Sequence, residues 1–249
     1  MTEPEACHGE TVTVQPAEFE LIWAAWTEAN RRRDISRARS QHEVVDRWKA
    51  ALQHLSDEQQ RLLDQGQWVS GPSSLLSVIG QSRRETYHCR VVAWLMDPTG
   101  RHGLGPHFLE LFLNACFPDE EFDREGLRRA TVSCEVPRSR SRADIVVSLP
   151  DATVVIEAKT DADERPRQCD DLYADFGEEL NPHFVFMSPR GREPITASGD
   201  AKETFRTFSF VQCRNLLEKV SDLPRPGRPD EIALGTVKNY LATMRTEFS

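Results

Sequence analysis

Two short runs of β-branched residues, parted by a proline turn, constrain this chain more than any other feature. Arg142-Ala143-Asp144-Ile145-Val146-Val147 and Val154-Val155-Ile156-Glu157-Ala158-Lys159 each carry charge where a buried strand should have none. Apolar runs of this length bounded by turn signals read as fully buried strands. Leu149-Pro150-Asp151-Ala152 supplies the turn between them. Glu157 and Lys159 are two residues apart, so an extended strand points both to one face, about 7 Å apart along the chain. Asp144 enters from the neighbouring strand. Two carboxylates and an ammonium thus converge at one end of a small sheet, and each would cost several kcal/mol to bury without a metal or a partner. A hard divalent cation such as Mg2+ takes a few carboxylate oxygens and keeps waters at its other positions. Water acidified by such an ion can attack a phosphodiester. A lysine beside that water can orient it, assist its deprotonation or stabilise charge on phosphorus. The bland alternative, a structural Glu157–Lys159 pair on an exposed sheet face, is opposed by the flanking Ile-Val-Val and Val-Val-Ile.

At these residues the chain resembles the PD-(D/E)XK nuclease superfamily. Asp144 matches its first acidic position and Glu157-Ala158-Lys159 its (D/E)XK triplet, with Ala143 where the motif name has Pro. Upstream, Arg84 to Pro98 followed by His102-Gly103-Leu104-Gly105 is similar to the first core helix and turn of uncharacterised bacterial members. Downstream, Gln168-Cys169-Asp170-Asp171-Leu172-Tyr173 is similar to the Gln-x-x-x-x-Tyr element of the helix after the lysine strand. The likeness spans about residues 80–190. It implies an α/β, restriction-endonuclease-like core of order α-β-β-β-α-β, a mixed sheet flanked by helices. It also implies Mg2+, with Mn2+ able to substitute, held by Asp144, Glu157, the Ala158 carbonyl and Glu85, the last directly or through water. Lys159 would position the nucleophilic water and Gln168 would assist, while Tyr173 would pack or touch phosphate.

Net charge argues the other way. A value of −9 is unpromising for a chain that grips phosphates. Its distribution softens the objection: residues 1–123 carry 12 basic and 19 acidic groups, residues 124–167 carry 9 and 8, and residues 168–249 carry 10 and 13. Arg124, Arg128, Arg129, Arg138, Arg140 and Arg142 precede or begin the Asp144 run, and Arg165 and Arg167 follow Lys159. Of these, Arg138, Arg140, Arg142, Arg165 and Arg167 are the expected phosphate contacts. Hydrophobic content of 39% and charged content of 29% are those of a soluble globular protein. No run approaches the roughly 20 apolar residues of a membrane helix. The acidic Thr2-Glu3-Pro4-Glu5 is no secretory signal. Cysteines 7, 89, 116, 134, 169 and 213 show no Cys-x-x-Cys or zinc-ligand spacing. They read as thiols of a reducing cytosol, and the expected location is the cytoplasm.

Along the chain, residues 1–15 are polar and expected to fray. Glu18 to Arg33 and His42 to Leu63 show two helical patterns, carrying Phe19, Ile22, Trp23 and Trp26, then Val45, Trp48, Leu52 and Leu55. Ser70-Gly71-Pro72-Ser73-Ser74 is a natural break, so residues 1–70 read as an N-terminal helical extension and 71–249 as a nuclease-like domain. The extension could form a homodimer through its helices, bind another partner or cover the site. In the second part, helices are expected over Glu85–Met96, Pro106–Cys116, Arg165–Phe176, Gln212–Val220 and Ile232–Phe248. Strands are expected over Thr131–Val136, Ala143–Leu149, Thr153–Ala158 and His183–Met187, with a further one at Phe205–Phe210 and a proline-rich loop at Pro224–Pro229.

Other candidates are weaker. His102, His107 and Glu110 suggest zinc, but the Gly-Pro turn between the histidines breaks the helical spacing such sites use. His88 lies one turn beyond Glu85 and reads equally as a support to the site or a satisfied helix histidine. Asp161, Asp163 and Glu164 suit a solvated acidic loop better than a second metal. The expectation is a metal-dependent phosphodiesterase acting on nucleic acid, DNA before RNA. The rival is a catalytically inactive nuclease-fold domain that binds nucleic acid or a protein.

Overall fold

The computed structural model describes residues 16–221, 223 and 230–249. The polar terminus expected over residues 1–15 and the loop Pro224–Pro229 lie outside the described residues. The chain divides into two units at Ser70/Gly71.

In the first unit the two expected helices are one, α1 (Pro16–Asp64), of 49 residues. The segment between the two patterns, Asp34 to Gln41, holds neither glycine nor proline, so nothing interrupts the hydrogen-bond ladder. The helix stops where Gly66 turns left-handed (φ 64°). There the Gln67 N–H reaches back to the Leu62 carbonyl at 2.8 Å, closing the last turn. Glu28 pairs with Arg31 and Arg32 on its surface. Trp23 stacks on Trp26 with ring centres 5.1 Å apart, and both remain exposed.

The second unit begins with a single turn, α2 (Leu75–Val78), then α3 (Glu85–Met96), α4 (His107–Cys116) and the short α5 (Arg124–Arg128). There follow β1 (Thr131–Pro137), β2 (Arg142–Ser148), β3 (Thr153–Ala158), α6 (Gln168–Phe176) and β4 (Pro182–Ser188). The chain closes with α7 (Gly199–Thr204), β5 (Phe205–Ser209), α8 (Phe210–Ser221) and α9 (Glu231–Glu247). The five strands pair in sequence order, the first three antiparallel and the last two parallel to β3. The expected α-β-β-β-α-β order is present, and Phe205–Ser209 is a fifth strand.

Every residue of β3 is buried, because apolar layers cover both of its faces. On one face Ile145, Val147, Val154 and Ile156 pack with Phe108, Phe112, Phe208 and Val237. On the other, Val146 and Val155 pack with Leu172, Phe176, Phe184 and Phe205. The β2–β3 turn closes with the Leu149 N–H on the Ala152 carbonyl at 2.8 Å, as the Pro-Asp sequence implies.

Two helix starts differ for local reasons. Helix α6 starts at Gln168 rather than Arg165, since Pro166 disfavours helix at the residue before it and Arg167 is left-handed (φ 60°). Helix α8 starts two residues early on a reciprocal cap. There the Gln212 N–H donates to Ser209 Oγ and the Ser209 N–H donates to Gln212 Oε1. The turn after α3 needs a glycine at position 100, where any Cβ would strike the His102 ring.

Phe112, fully buried and edge-on to Phe208 at 4.7 Å, fills the larger layer. Phe112→Ala is expected to destabilise the fold by about 3–5 kcal/mol. Ile232→Ala, at an exposed position, should change it by less than about 0.5 kcal/mol. Urea unfolding of both variants checks the pair.

Candidate active site

Strand β3 carries Glu157 into the face covered by α6, and its side chain is completely buried. Lys159 follows just beyond the strand, with its own N–H held by the Met187 carbonyl at 2.8 Å. The Lys159 ammonium donates to Glu157 Oε1 at 2.6 Å, to the Ala158 carbonyl at 3.0 Å and to Glu85 Oε1 at 3.3 Å. Glu85 opens α3, where the helix dipole favours a carboxylate. Its Oε2 accepts the Thr160 N–H at 3.3 Å. The Thr160 hydroxyl in turn donates to the Arg83 carbonyl at 2.8 Å, stitching the end of β3 to the start of α3.

The β2–β3 ladder ends at Ile145↔Ile156. One step on, the Asp144 side chain takes over the role of a backbone acceptor, its Oδ2 receiving the Ala158 N–H at 2.9 Å. Gln168 closes the group from α6. Its amide donates to Glu157 Oε1, and its own oxygen accepts the Arg165 N–H at 2.9 Å. Among the described residues, Glu157 Oε2 is buried with no hydrogen-bond partner.

Burial, partly relieved by the Ala158 N–H and Lys159, pushes the Asp144 carboxyl up to about 6. Burial and the charge of Asp144 push Glu157 up to about 8, against the pull of Lys159. Burial opposes charge on Lys159 too, but Glu157, Glu85 and Asp144 together hold its pKa above the ordinary lysine value. Both values are raised, which favours the charged form of Lys159 but the neutral form of Glu157 at one contact. Three oxygen acceptors around Nζ decide for an ammonium, and leave Glu157 as the group short of positive charge.

A cleft of about 430 Å³ opens over this group, lined by Glu85, Asp144, Lys159, Gln168, Ser141 and the arginines 140, 142 and 165. Each arginine is backed by an acid: Arg140 by Asp175 at 3.5 Å, Arg142 by Glu135 at 3.7 Å and Arg165 by Asp171 at 3.2 Å. The remaining sequence candidates lie elsewhere. Arg138 pairs with Glu179 at 2.7 Å and sits over the Phe176 ring, Arg167 pairs with Asp171 at 3.7 Å, and neither lines the cleft. Tyr173 packs against Phe184, ring centres 5.5 Å apart. His102 braces the turn after α3 through the Trp94 carbonyl and the Leu104 N–H, and His88 is held between Tyr240 and the Ser82 carbonyl.

Sequence reasoning misjudged one acid and passed over another. Glu164 is no solvated loop residue. Its side chain is fully buried and accepts from Arg192, the Ile195 and Thr196 N–H groups and the Thr196 hydroxyl, which together hold its pKa below the usual value against burial. Asp175, on α6, binds the β1–β2 turn through the Ser139 and Ser141 hydroxyls and the Arg140 N–H, at 2.8, 2.8 and 2.9 Å. Their partners lie about 30 residues away, and no local spacing marks them.

The family model described as the PD-(D/E)XK nuclease superfamily matches residues 74–223, more than half of the chain. The chain belongs to the PD-(D/E)XK nuclease superfamily. No curated protein and no solved structure matches it. Membership points to nuclease activity and to nucleic acid as the partner, on a fold whose relatives typically use divalent metal ions. Among the described residues, no helix is long and apolar enough to cross a membrane.

Burial raises the Asp175 pKa less than its hydrogen bonds lower it, so it stands at about 2. A depressed carboxylate stabilises the fold above its unfolded value, near 4, and loses that contribution as pH falls through its folded value. Between about pH 4 and pH 2, wild type is therefore expected to lose more stability than Asp175→Asn, as read by urea unfolding at each pH.

Proposed function

We propose that this chain is a metal-dependent phosphodiesterase that hydrolyses nucleic acid, a deoxyribonuclease by preference. One observation carries the reading: a buried carboxylate, Glu157, with an unpartnered oxygen, beside Asp144 and under an arginine-lined cleft. A protein has no structural need for such a group. The residues fit a hard divalent cation in their chemistry, since two carboxylates and a backbone carbonyl are the oxygen donors it takes. Asp144, Glu157 and the Ala158 carbonyl would hold it. Glu85, which the family resemblance adds to the set, lies across Lys159 from Glu157. Mg2+, or Mn2+ in its place, would supply positive charge to the scissile phosphate and acidify the attacking water.

The chain's own residues supply the rest. Lys159 is an ammonium with its three N–H groups directed at oxygens. Its charge stabilises negative charge on the phosphate rather than removing a proton, and it orients water by turning one N–H from its present acceptor. Gln168 fixes the Glu157 carboxylate and, through the Arg165 N–H, the loop that carries Arg165. Arg140, Arg142 and Arg165 hold phosphates on the approach to the carboxylates. Asp175 keeps Arg140 and Ser141 in the cleft wall.

The division into an extension (1–70) and a nuclease-like domain (71–249) is part of the proposal, as is a cytoplasmic location. So is a homodimer: the exposed Val45, Trp48, Leu52 and Leu55 recur at the three-four spacing of a coiled-coil seam, which suits a second copy of α1. Sedimentation velocity is expected to give a dimer that Trp48→Glu with Leu52→Glu converts to monomer. The rival reading, an inactive nuclease-fold binder, has against it that Asp144, Glu157, Lys159 and Gln168 are all present and in mutual contact or linked through Ala158.

Plasmid, single-stranded DNA and RNA incubated with Mg2+, Mn2+ or EDTA test the reading. Cleavage is expected with either metal and not with EDTA. Lys159→Ala and Glu157→Ala should each reduce it by at least about 100-fold while circular dichroism stays native. Cleavage persisting in both variants would place the activity elsewhere. No cleavage of any substrate by wild type would favour the binder.

A further inference from the structure

The four acidic and carbonyl groups around Lys159 are not equally engaged by the chain's own hydrogen bonds. Both oxygens of Glu85 are engaged within the chain, Oε1 by the Lys159 ammonium at 3.3 Å and Oε2 by the Thr160 N–H at 3.3 Å. Glu157 is different: Oε1 takes Lys159 and Gln168, while Oε2 has no partner. Asp144 accepts the Ala158 N–H through Oδ2, and among the described residues no hydrogen bond engages its Oδ1. Lys159 stands between Glu85 and Glu157 and contacts both.

We propose that Glu85 serves Lys159 and not the cation: it is a positioning residue, and the site takes one divalent ion on the Asp144 and Glu157 side chains. The inference rests on the metal-dependent reading above and alters its division of roles. Glu85 sits in the first turn of α3, where its charge is favoured, and its two hydrogen bonds fix the Lys159–Thr160 segment. Its position on a helix end gives Lys159 a rigid second anchor, so that the ammonium keeps its place when a cation draws on Glu157. Without Glu85, Lys159 keeps Glu157 and the Ala158 carbonyl as acceptors but loses the brace on its far side. Reaction should then slow while cation binding is preserved.

Calorimetric titration of the full chain with Mn2+ tests this without reference to activity. Wild type is expected to bind one ion per chain. Glu85→Ala and the more conservative Glu85→Gln should bind one ion within about threefold of the wild-type affinity, whereas Glu157→Gln should lose at least tenfold. In cleavage assays the same Glu85 variants should lower kcat and leave the metal concentration for half-maximal rate unchanged, with Glu85→Gln, which keeps an acceptor oxygen, the less impaired. A loss of Mn2+ affinity in Glu85→Gln matching that in Glu157→Gln overturns the proposal and leaves the nuclease reading intact. Two ions per chain, one of them lost with Glu85, overturns it equally. Failure of wild type to bind Mn2+ at all removes the metal-dependent reading and this inference with it.

Discussion

A glutamate with no exposed surface, pressed against a lysine at the end of a fully buried strand, sets the terms for the rest of this structure. Apolar layers on both faces of β3 put Glu157 where water cannot solvate it. Lys159 neutralises one oxygen and Gln168 supports the same one. The other oxygen has nothing. Removing charge from water costs several kcal/mol even after relaxation, and a fold that tolerates this must hold the pair through many other contacts. The stitching of Thr160 to Arg83 and Glu85, of Lys159 to Met187 and of Ala158 to Asp144 supplies them. These bonds tie α3, β4 and β2 to the end of β3, and Gln168 adds α6, so the site is where the five elements meet.

The same logic reconciles a net charge of −9 with the phosphate contacts proposed for the cleft. Long-range attraction to nucleic acid scales with overall charge, but close contacts depend on which guanidinium groups are held in place. Arg140, Arg142 and Arg165 each face the cleft with a carboxylate behind them. The acids orient the arginines at the cost of part of their field. Such a surface favours geometric selection of a phosphate backbone over avid, salt-sensitive attraction.

What could be read from the sequence follows from how local each cause is. The strands around Asp144 and Glu157 were legible because β-branched runs and a Pro-Asp turn act over a few residues. The convergence of Asp144, Glu157 and Lys159 followed from the two-residue period of a strand. Continuous helix over Pro16–Asp64 was misread as two because a gap in the apolar pattern resembles a break, although no glycine or proline lies there to interrupt the ladder. Glu164 was misread as a solvated loop acid and Asp175 was passed over: each draws its meaning from partners about 30 residues away, brought close by the β3–β4 crossover and by the β1–β2 turn. Arg138 and Arg167 carried the right charge at the right place in the chain, yet their side chains turn to Glu179 and Asp171. Sequence proximity locates an arginine near a site; only the fold says which way it points.

The central claim is that the buried carboxylates are arranged to bind a divalent cation. Anomalous diffraction from crystals of the chain soaked in Mn2+ tests it most directly. The account predicts one manganese peak per chain, bonded to the carboxylates of Asp144 and Glu157, with Lys159 still resting on Glu85. No peak at Glu157 under saturating Mn2+ would contradict it, and the unpartnered oxygen would then need another explanation.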